Sequence, residues 1–139
     1  PKCKCSKLTT APSDYKQRVP GEYYKYHSET KTWFEAWATC ENEGGHLAVL
    51  RSDEQAKYVG ALGGEGFDWA FIGFQDMFQE GNFITLFDET LEEAGYNKWP
   101  NSDPNGGTSE NCGVIFPNGL LGDYKCQNPR TFICQIDIC

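Results

Sequence analysis

Apolar residues recur at helical spacing in a first segment of the chain, at Trp33, Ala36, Trp37 and Cys40. Residues three and four positions apart lie on one face of a helix, so this spacing predicts a buried helical face. Thr32 stands just before the segment and Glu35 follows three residues later, a pattern typical of a capping box. Gly44 and Gly45 favour the end of the helix. We therefore expect a helix between Thr32 and Gly44.

A second segment repeats this arrangement. Ser52 is a good N-cap residue, and Gln55 follows three positions later. The apolar positions that continue at helical spacing are Ala56, Val59 and Leu62. Gly63 and Gly64 interrupt the pattern and favour a helix end. The chain is therefore predicted to contain two consecutive amphipathic helices.

Shorter apolar runs have the character of β-strands. They lie at residues 21–26, 69–74, 113–116 and 131–134. Asn118-Gly119 separates the third run from Leu120 and Leu121, and this dipeptide between apolar runs is a strong hairpin signal. A strand, two helices and then further strands predict an α+β fold with segregated helices.

A long stretch from residue 75 to residue 108 has little hydrophobic period. It is rich in Gly, Asn, Asp, Glu and aromatic residues. Loops of this length are uncommon and are usually functional or disordered. Phe83, Phe87 and Trp99 argue against disorder, because large aromatic side chains inside a loop usually anchor it to a core. The stretch is therefore interpreted as an anchored functional loop.

Length and charge restrict the class of protein. A chain of 139 residues fits one domain, and residues 1–20 differ enough in composition to be interpreted as a leader to a domain at 21–139. The formal net charge of −8 disfavours binding to nucleic acid, which normally needs a basic surface. No apolar run approaches the ~18 residues that a membrane span requires.

Seven cysteines point to an oxidising compartment and to secretion. No Cys-x-x-Cys occurs, and Cys3-Lys4-Cys5 is too tightly spaced for a usual zinc knuckle, so disulfides are the better interpretation. The odd number leaves one thiol free or paired with another chain.

Oxygen-bearing side chains cluster towards the end of the long stretch. Asp103 and Asn105 lie in it, Glu110 follows two residues after it, and Asp123 lies in the predicted hairpin. They come close together if Cys112 and Cys126 are bridged, and mixed carboxylate and amide ligands favour calcium over magnesium. A cis bond at Pro104 would turn the oxygens of Asp103 and Asn105 towards one ion. The alternative interpretation is that these side chains form an ordinary polar surface exposed to solvent.

Several further segments stand in a recognisable order. They are residues 71–74 (Phe-Ile-Gly-Phe), Trp99-Pro100, Asp103-Pro104-Asn105, Glu110-Asn111-Cys112 and Leu121-Gly122-Asp123. This series resembles the W-I-G-L, E-P-N, E-D-C and W-N-D motifs of the C-type lectin domain, and the resemblance extends from residue 21 to residue 134. It implies that fold: two helices packed on small antiparallel sheets, a long calcium-binding loop and disulfide bridges. Among members, the soluble lectins of invertebrate body fluids are the most similar.

The resemblance implies a set of calcium ligands. Asp103, Asn105, Glu110 and Asp123 would hold one Ca²⁺ and also bind the sugar. Gly122 stands where the family has an Asn ligand, which implies a weaker site or a water in its place. Asp76, Glu80 and Glu110 correspond to an auxiliary calcium site in which Asn111, and by position Gly106, replace acids. Asp76 and Glu80 are equally well interpreted as acids that cap the loop.

The resemblance also implies disulfide pairs. Cys40 would pair with Cys134, and Cys112 with Cys126. Cys139 would then pair with Cys3 or Cys5, and the remaining cysteine would be available to join a second chain in a dimer. The other prominent side chains are expected in structural roles: His27, His46, Trp33, Trp37, Trp69, Phe71 and Phe132.

The functional expectation is a secreted, extracellular, calcium-dependent lectin. The order Asp103-Pro104-Asn105 is the family's order for mannose, glucose or fucose, and the resemblance implies recognition of these sugars or of microbial surface polysaccharide in innate immunity. The alternative is a calcium-independent domain of this family that binds a protein or another surface. No catalytic motif stands in a suitable context, so an enzyme is not expected.

Overall fold

The computed structural model describes residues 5–100 and 111–139, which form eight strands and three helices. The strands are β1 (Lys16–Val19), β2 (Glu22–Lys31), β3 (His46–Leu47), β4 (Ala70–Gln75), β5 (Ile84–Thr85), β6 (Cys112–Ile115), β7 (Leu121–Tyr124) and β8 (Arg130–Asp137). The helices are α1 (Trp33–Asn42), α2 (Asp53–Ala61) and α3 (Leu91–Ala94). The predicted α+β class is confirmed, with both predicted helices present.

The sheet has the order β1-β2-β8-β4-β6-β7, with β3 beside β8 and β5 beside β4. All of these pairs are antiparallel except β4 and β8, which run parallel where Phe71 faces Phe132. The sheet is therefore mixed and continuous, rather than a set of small antiparallel sheets as expected. The hairpin of β6 and β7 lies at the edge of the sheet.

Helix α1 begins as its sequence predicts. The Thr32 side chain accepts a hydrogen bond from the Glu35 N–H, and the Glu35 carboxylate accepts one from the Thr32 N–H at 3.0 Å. Trp33 is buried and its indole donates to the Ile72 carbonyl at 2.9 Å. The prediction that Trp37 belongs to the core is wrong, because it is 43% exposed. The face that packs on the sheet follows Trp33, Ala36 and Cys40, and Trp37 lies at its margin.

Helix α2 begins at the predicted cap, where Ser52 accepts from the Gln55 N–H. Gln55 is itself buried, and its amide donates to the Tyr24 hydroxyl at 2.6 Å and the Val49 carbonyl at 2.9 Å. Ala56 and Val59 are fully buried, whereas Leu62 is half-buried at the end of the helix. The polar side chain of Gln55 therefore lies on the helix face that the apolar pattern predicts to be buried.

The long stretch is more regular than predicted. It contains β5 and α3, and α3 begins with a second capping box formed by Thr90 and Glu93. The sequence contains this Thr-x-x-Glu pattern, but a helix of one turn has no hydrophobic period that would predict it. The predicted anchoring is confirmed for Trp99, which packs on Phe74 and Phe83 with ring centroids 5.8 and 5.0 Å apart.

Three disulfides join distant parts of the described chain. They are Cys5–Cys139, Cys40–Cys134 and Cys112–Cys126. These are the pairs that the resemblance implies, with Cys5 rather than Cys3 as the partner of Cys139. Bridges that close long loops restrict the unfolded chain and commonly contribute about 2–4 kcal/mol each. Cys3, the seventh cysteine, lies outside the described residues.

The segment before residue 21 packs on the rest of the protein. Its last part forms β1, which pairs with β2. Tyr15 is buried and its hydroxyl donates to the Glu43 carboxylate at 2.6 Å, so burial and that acceptor raise the pKa of Tyr15 strongly. The division at residue 20 stays a prediction, but the segment from Cys5 onwards is docked against the sheet.

The α1 capping box predicts a pH-dependent contribution to stability. Hydrogen bonds from Thr32 lower the pKa of Glu35 below its usual 4.5. A lowered pKa in the folded state means that stability is present above 4.5 and is lost as pH falls through the folded value. Glu35→Gln is expected to lower the urea midpoint at about pH 7 and to have little effect at about pH 3. Glu65→Gln, in the exposed loop after α2, is the control; an equal loss for Glu35→Gln at both pH values would contradict the prediction.

Candidate functional site

The hairpin of β6 and β7 carries Asp123. The two strands pair with Gly113 opposite Asp123 and Cys112 opposite Tyr124. The Cys112–Cys126 disulfide ties the start of β6 to the residue two positions beyond β7. One carboxylate oxygen of Asp123, Oδ1, is buried. The predicted ligand Asp123 therefore lies on a hairpin that the Cys112–Cys126 disulfide cross-links.

Strand β7 also fixes the described chain on both sides of residues 101–110. The Leu121 N–H donates to the Lys98 carbonyl at 2.9 Å, and the Asn111 N–H donates to the Tyr124 carbonyl at 3.2 Å. Lys98 is followed by Trp99, which is anchored on the core, and Asn111 is followed by the bridged Cys112. The described residues on either side of positions 101–110 are therefore both held beside the strand that bears Asp123.

Three of the four predicted calcium ligands lie within that segment. Asp103, Asn105 and Glu110 are outside the described residues, and so are Pro104 and its predicted cis bond. Their roles stay predictions. Of the residues assigned to either calcium site, the described ones are Asp76, Glu80 and Asp123.

Asp76 is brought next to Asn111 at the end of β4. It is only 2% exposed, and its Oδ1 accepts a hydrogen bond from Nδ2 of Asn111 at 2.9 Å. Its Oδ2 accepts one from the Gly81 N–H at 2.8 Å. The Asp76 N–H donates to the Asn111 carbonyl at 2.9 Å. The expected loop-capping role of Asp76 thus agrees with the geometry, and both of its oxygens have protein donors.

Glu80 lies on the same loop, and its carboxyl group has negative neighbours. Partial loss of hydration has the largest effect on the pKa of Glu80 and raises it. The negative charges of Asp76 and Asp123 raise this pKa further. The Asn111 side chain acts in the opposite direction and lowers this pKa. The charges of Asp76 and Asp123 therefore both act on Glu80, and the Asn111 amide, which donates to Asp76, offsets part of their effect. This role of Asn111 was not anticipated beyond its replacement of an acid.

The space next to Gly122 is occupied. A Cβ atom at this position would stand 2.7 Å from Cε2 and 2.8 Å from Cζ of Phe116, and 3.1 Å from Cγ2 of Val114. Side chains alternate between the two faces of a strand, so a residue at 122 starts on the face opposite to Asp123. The family's Asn therefore has no room here unless the Phe116 ring moves.

Another set of side chains has the composition of a metal site. Ligand atoms of His27, Glu43 and Cys134 lie within 4.8 Å of one another. Cys134 is bound to Cys40, however, and the His27 ring nitrogens lie 3.0 Å from Glu43 and from Glu29. His27 also stacks on Phe132 at 4.3 Å. These contacts agree with the structural role expected for His27.

Comparison with known proteins identifies the family. The family model described as the lectin C-type domain matches residues 29–136. The chain belongs to the C-type lectin domain family. This is a family of lectins and not of enzymes, and its domains in general bind carbohydrates. Both the resemblance drawn from the motifs and the predicted absence of enzymatic activity are confirmed.

A curated relative is similar over most of the chain. The hemolymph lipopolysaccharide-binding protein of Periplaneta americana is 38% identical over 143 residues. The match covers 94% of this chain and 56% of that protein. The chain therefore spans little more than half of the relative's length, and the activity of the whole relative is not transferred with the domain.

Solved C-type lectin folds superpose closely. The carbohydrate-recognition domain of the mouse scavenger receptor C-type lectin has a TM-score of 0.83 and 22% identity, covering 94% of this chain and all of that one. A calcium-independent type II antifreeze protein has a TM-score of 0.78 and 22% identity, covering 92% of this chain and 95% of that one. At such identities the likeness supports the fold alone. Within the described residues no helix is long and apolar enough to cross a bilayer.

The contact at Gly122 leads to a prediction about restoring the family's ligand. Gly122→Asn is expected to destabilise the protein by about 1–3 kcal/mol, because the new side chain overpacks the space of Phe116. Adding Phe116→Ala opens that space, so the double variant is expected to lose less than the sum of the two single changes. Urea unfolding of all four proteins measures the coupling. Strict additivity would contradict the contact between positions 116 and 122.

Proposed function

We propose that this chain is a calcium-dependent carbohydrate-binding lectin domain. Residues 21–139 form the recognition domain, and residues 1–20 are a cysteine-containing N-terminal segment. One Ca²⁺ is held by Asp103, Asn105, Glu110 and Asp123. The observation that supports the proposal is the attachment of Lys98 and Asn111 to β7, because these described residues, on either side of positions 101–110, both bond to the strand of Asp123.

The residues in this set suit such an ion. Calcium prefers six to eight hard oxygen ligands and accepts carboxylate and amide oxygens together. It would supply a centre on which two neighbouring sugar hydroxyls replace water. The carboxylates of Asp103 and Glu110 accept hydrogen bonds from those hydroxyls, and the Asn105 amide donates one. Bonds to ionised acceptors are stronger than bonds between neutral groups, so the carboxylates favour the bound orientation.

The order of the site residues supports a mannose-type ligand. An acid at Asp103 and an amide at Asn105 keep the polarity that the family uses for mannose, glucose or fucose. Between Asn105 and Glu110 the sequence is Gly-Gly-Thr-Ser, which contains no aromatic ring on which galactose would stack. Microbial surface polysaccharides that carry such sugars are therefore the proposed natural ligands.

A secreted role in innate immunity is the proposed setting. Its support is the name of the Periplaneta relative, a hemolymph protein that binds lipopolysaccharide. Three disulfides suit an extracellular compartment. With Cys5 bound to Cys139, Cys3 is the cysteine proposed to join a second chain. A dimer would raise the avidity for repeated surface glycans, since two linked weak sites bind more tightly than one.

The second candidate is a calcium-independent domain that binds a protein or another surface. Gly122 favours it, because the resemblance implies an Asn ligand at this position, and a Cβ atom here would stand 2.7 Å from Cε2 of Phe116. The fold likeness to a calcium-independent antifreeze protein makes it a real alternative. Against it stand the four oxygen-bearing residues of the proposed site.

Removal of the Asp123 carboxylate tests the proposed function. Asp123→Ala is expected to abolish retention on mannose–agarose in calcium, because the ion loses a charged ligand on its fixed support. Circular dichroism should show an unchanged fold. The matched control is Asp68→Ala, which removes an exposed carboxylate from the loop before β4.

Chelation separates the two candidates. Wild-type protein is expected to elute from the resin when EDTA is added, and Asp68→Ala should behave identically. Retention of Asp123→Ala in calcium would place the sugar site elsewhere. Calorimetry that detects no heat when calcium is added to EDTA-stripped wild type would leave the calcium-independent candidate.

A further inference from the structure

The Asn111 side chain partly offsets the negative charge of two acids, Asp76 and Glu80. Its Nδ2 donates to Oδ1 of Asp76 at 2.9 Å, and its amide lowers the pKa of Glu80. Asp76 is almost fully buried, so its charge needs partners inside the protein. An ionised carboxylate only accepts hydrogen bonds, and in an amide only the nitrogen donates them. The amide nitrogen of Asn111 must therefore face Asp76.

The backbone of Asn111 strengthens this arrangement. Its carbonyl accepts from the Asp76 N–H, and its N–H donates to the Tyr124 carbonyl. Asn111 thus links the loop after β4 to the end of β7. Within that loop, Gln75 Oε1 accepts from the Met77 N–H at 2.6 Å, and Asp76 Oδ2 accepts from the Gly81 N–H. Both carboxylate oxygens of Asp76 therefore already accept hydrogen bonds from the protein.

A cation does not fit among these groups as they stand. The Asn111 amide nitrogen donates towards Oδ1 of Asp76, which is an atom that a calcium ion would take. A positive ion there would face the positive end of the amide dipole. Binding would require the amide to rotate, with loss of its hydrogen bond to Asp76, and would still leave a neutral oxygen where an acid would give more affinity.

We propose that the Asn111 amide takes the place of an auxiliary calcium ion in this chain. Asn111 acts as a positioning residue: it holds the 76–81 loop against β7 and keeps the acids of that loop beside Asp123. This refines the proposed function, because it limits calcium to the one ion at the sugar site. It also removes the auxiliary calcium role predicted for Asp76 and Glu80, because the Asp76 carboxylate holds the loop instead.

The test counts the ions bound by metal-free protein. Calorimetric titration with CaCl₂ is expected to give one ion for wild type. Asn111→Asp replaces the donor with a third carboxylate and is expected to bind a second ion. Asn118→Asp is the matched control, since it makes the same charge change at the hairpin tip, where Asn118 Oδ1 accepts from the Leu120 N–H. It should bind as many ions as wild type.

The outcomes separate this inference from the proposed function. If wild type bound no ion and Asn111→Asp bound one, the proposed calcium-dependent lectin function would be refuted. The inference that the Asn111 amide replaces the auxiliary calcium ion would still be supported. Two ions for wild type would overturn the inference, because Asn111 would then act as a ligand. The inference would also be overturned if Asn111→Asp bound no more ions than wild type.

A measurement on wild type alone covers the case in which Asn111→Asp fails to fold. Hydrogen exchange of the Gly81 N–H reports whether its bond to Asp76 persists. We expect this amide to be protected in EDTA and equally protected in saturating calcium. Protection that appears only when calcium is added would mean that an ion, and not the amide, orders the loop.

Discussion

The hydrogen bond between the Asn111 amide and the buried Asp76 carboxylate is the interaction on which the candidate site depends. Asp76, Glu80 and Asp123 bring three negative groups to one edge of the sheet. Such a group is unfavourable unless donors or cations offset it. Here the Asn111 amide donates to Asp76 while its own backbone joins the loop after β4 to β7. Hydrogen bonds between protein atoms thereby hold the loop that borders the proposed sugar site.

Strand β7 then supplies the other half of the arrangement. It carries Asp123, it binds the chain at Lys98 and Asn111, and the Cys112–Cys126 bridge restrains its end. A carboxylate on a rigid strand, with an oxygen-rich segment attached on both sides, is a suitable support for one hard cation. Negative charge is therefore offset in two ways in one site. The Asn111 amide offsets it at Asp76, and the proposed calcium ion would offset it at Asp123.

Much of the fold could be predicted from local signals, and the exceptions have physical causes. The capping residues Thr32 and Ser52 mark α1 and α2 correctly, and Asn118-Gly119 marks the hairpin. Trp37 fits the helical period but lies at the margin of the buried face, which depends on how α1 sits on the sheet. Helix α3 has a capping box but is too short to have a period. Comparison of the motifs reveals that Gly122 and Asn111 differ from the family's residues. It does not reveal that Gly122 packs against Phe116 or that Asn111 donates to Asp76, because these contacts depend on how the chain folds.

The most direct test of the account is a crystal structure grown with CaCl₂ and methyl α-mannoside. The account predicts one calcium ion in contact with the Asp123 carboxylate and with two neighbouring sugar hydroxyls. It also predicts that Asn111 still donates to Asp76, with no ion between Asp76 and Glu80. Solvent alone beside Asp123, or an ion bound by Asp76 and Glu80, would contradict it.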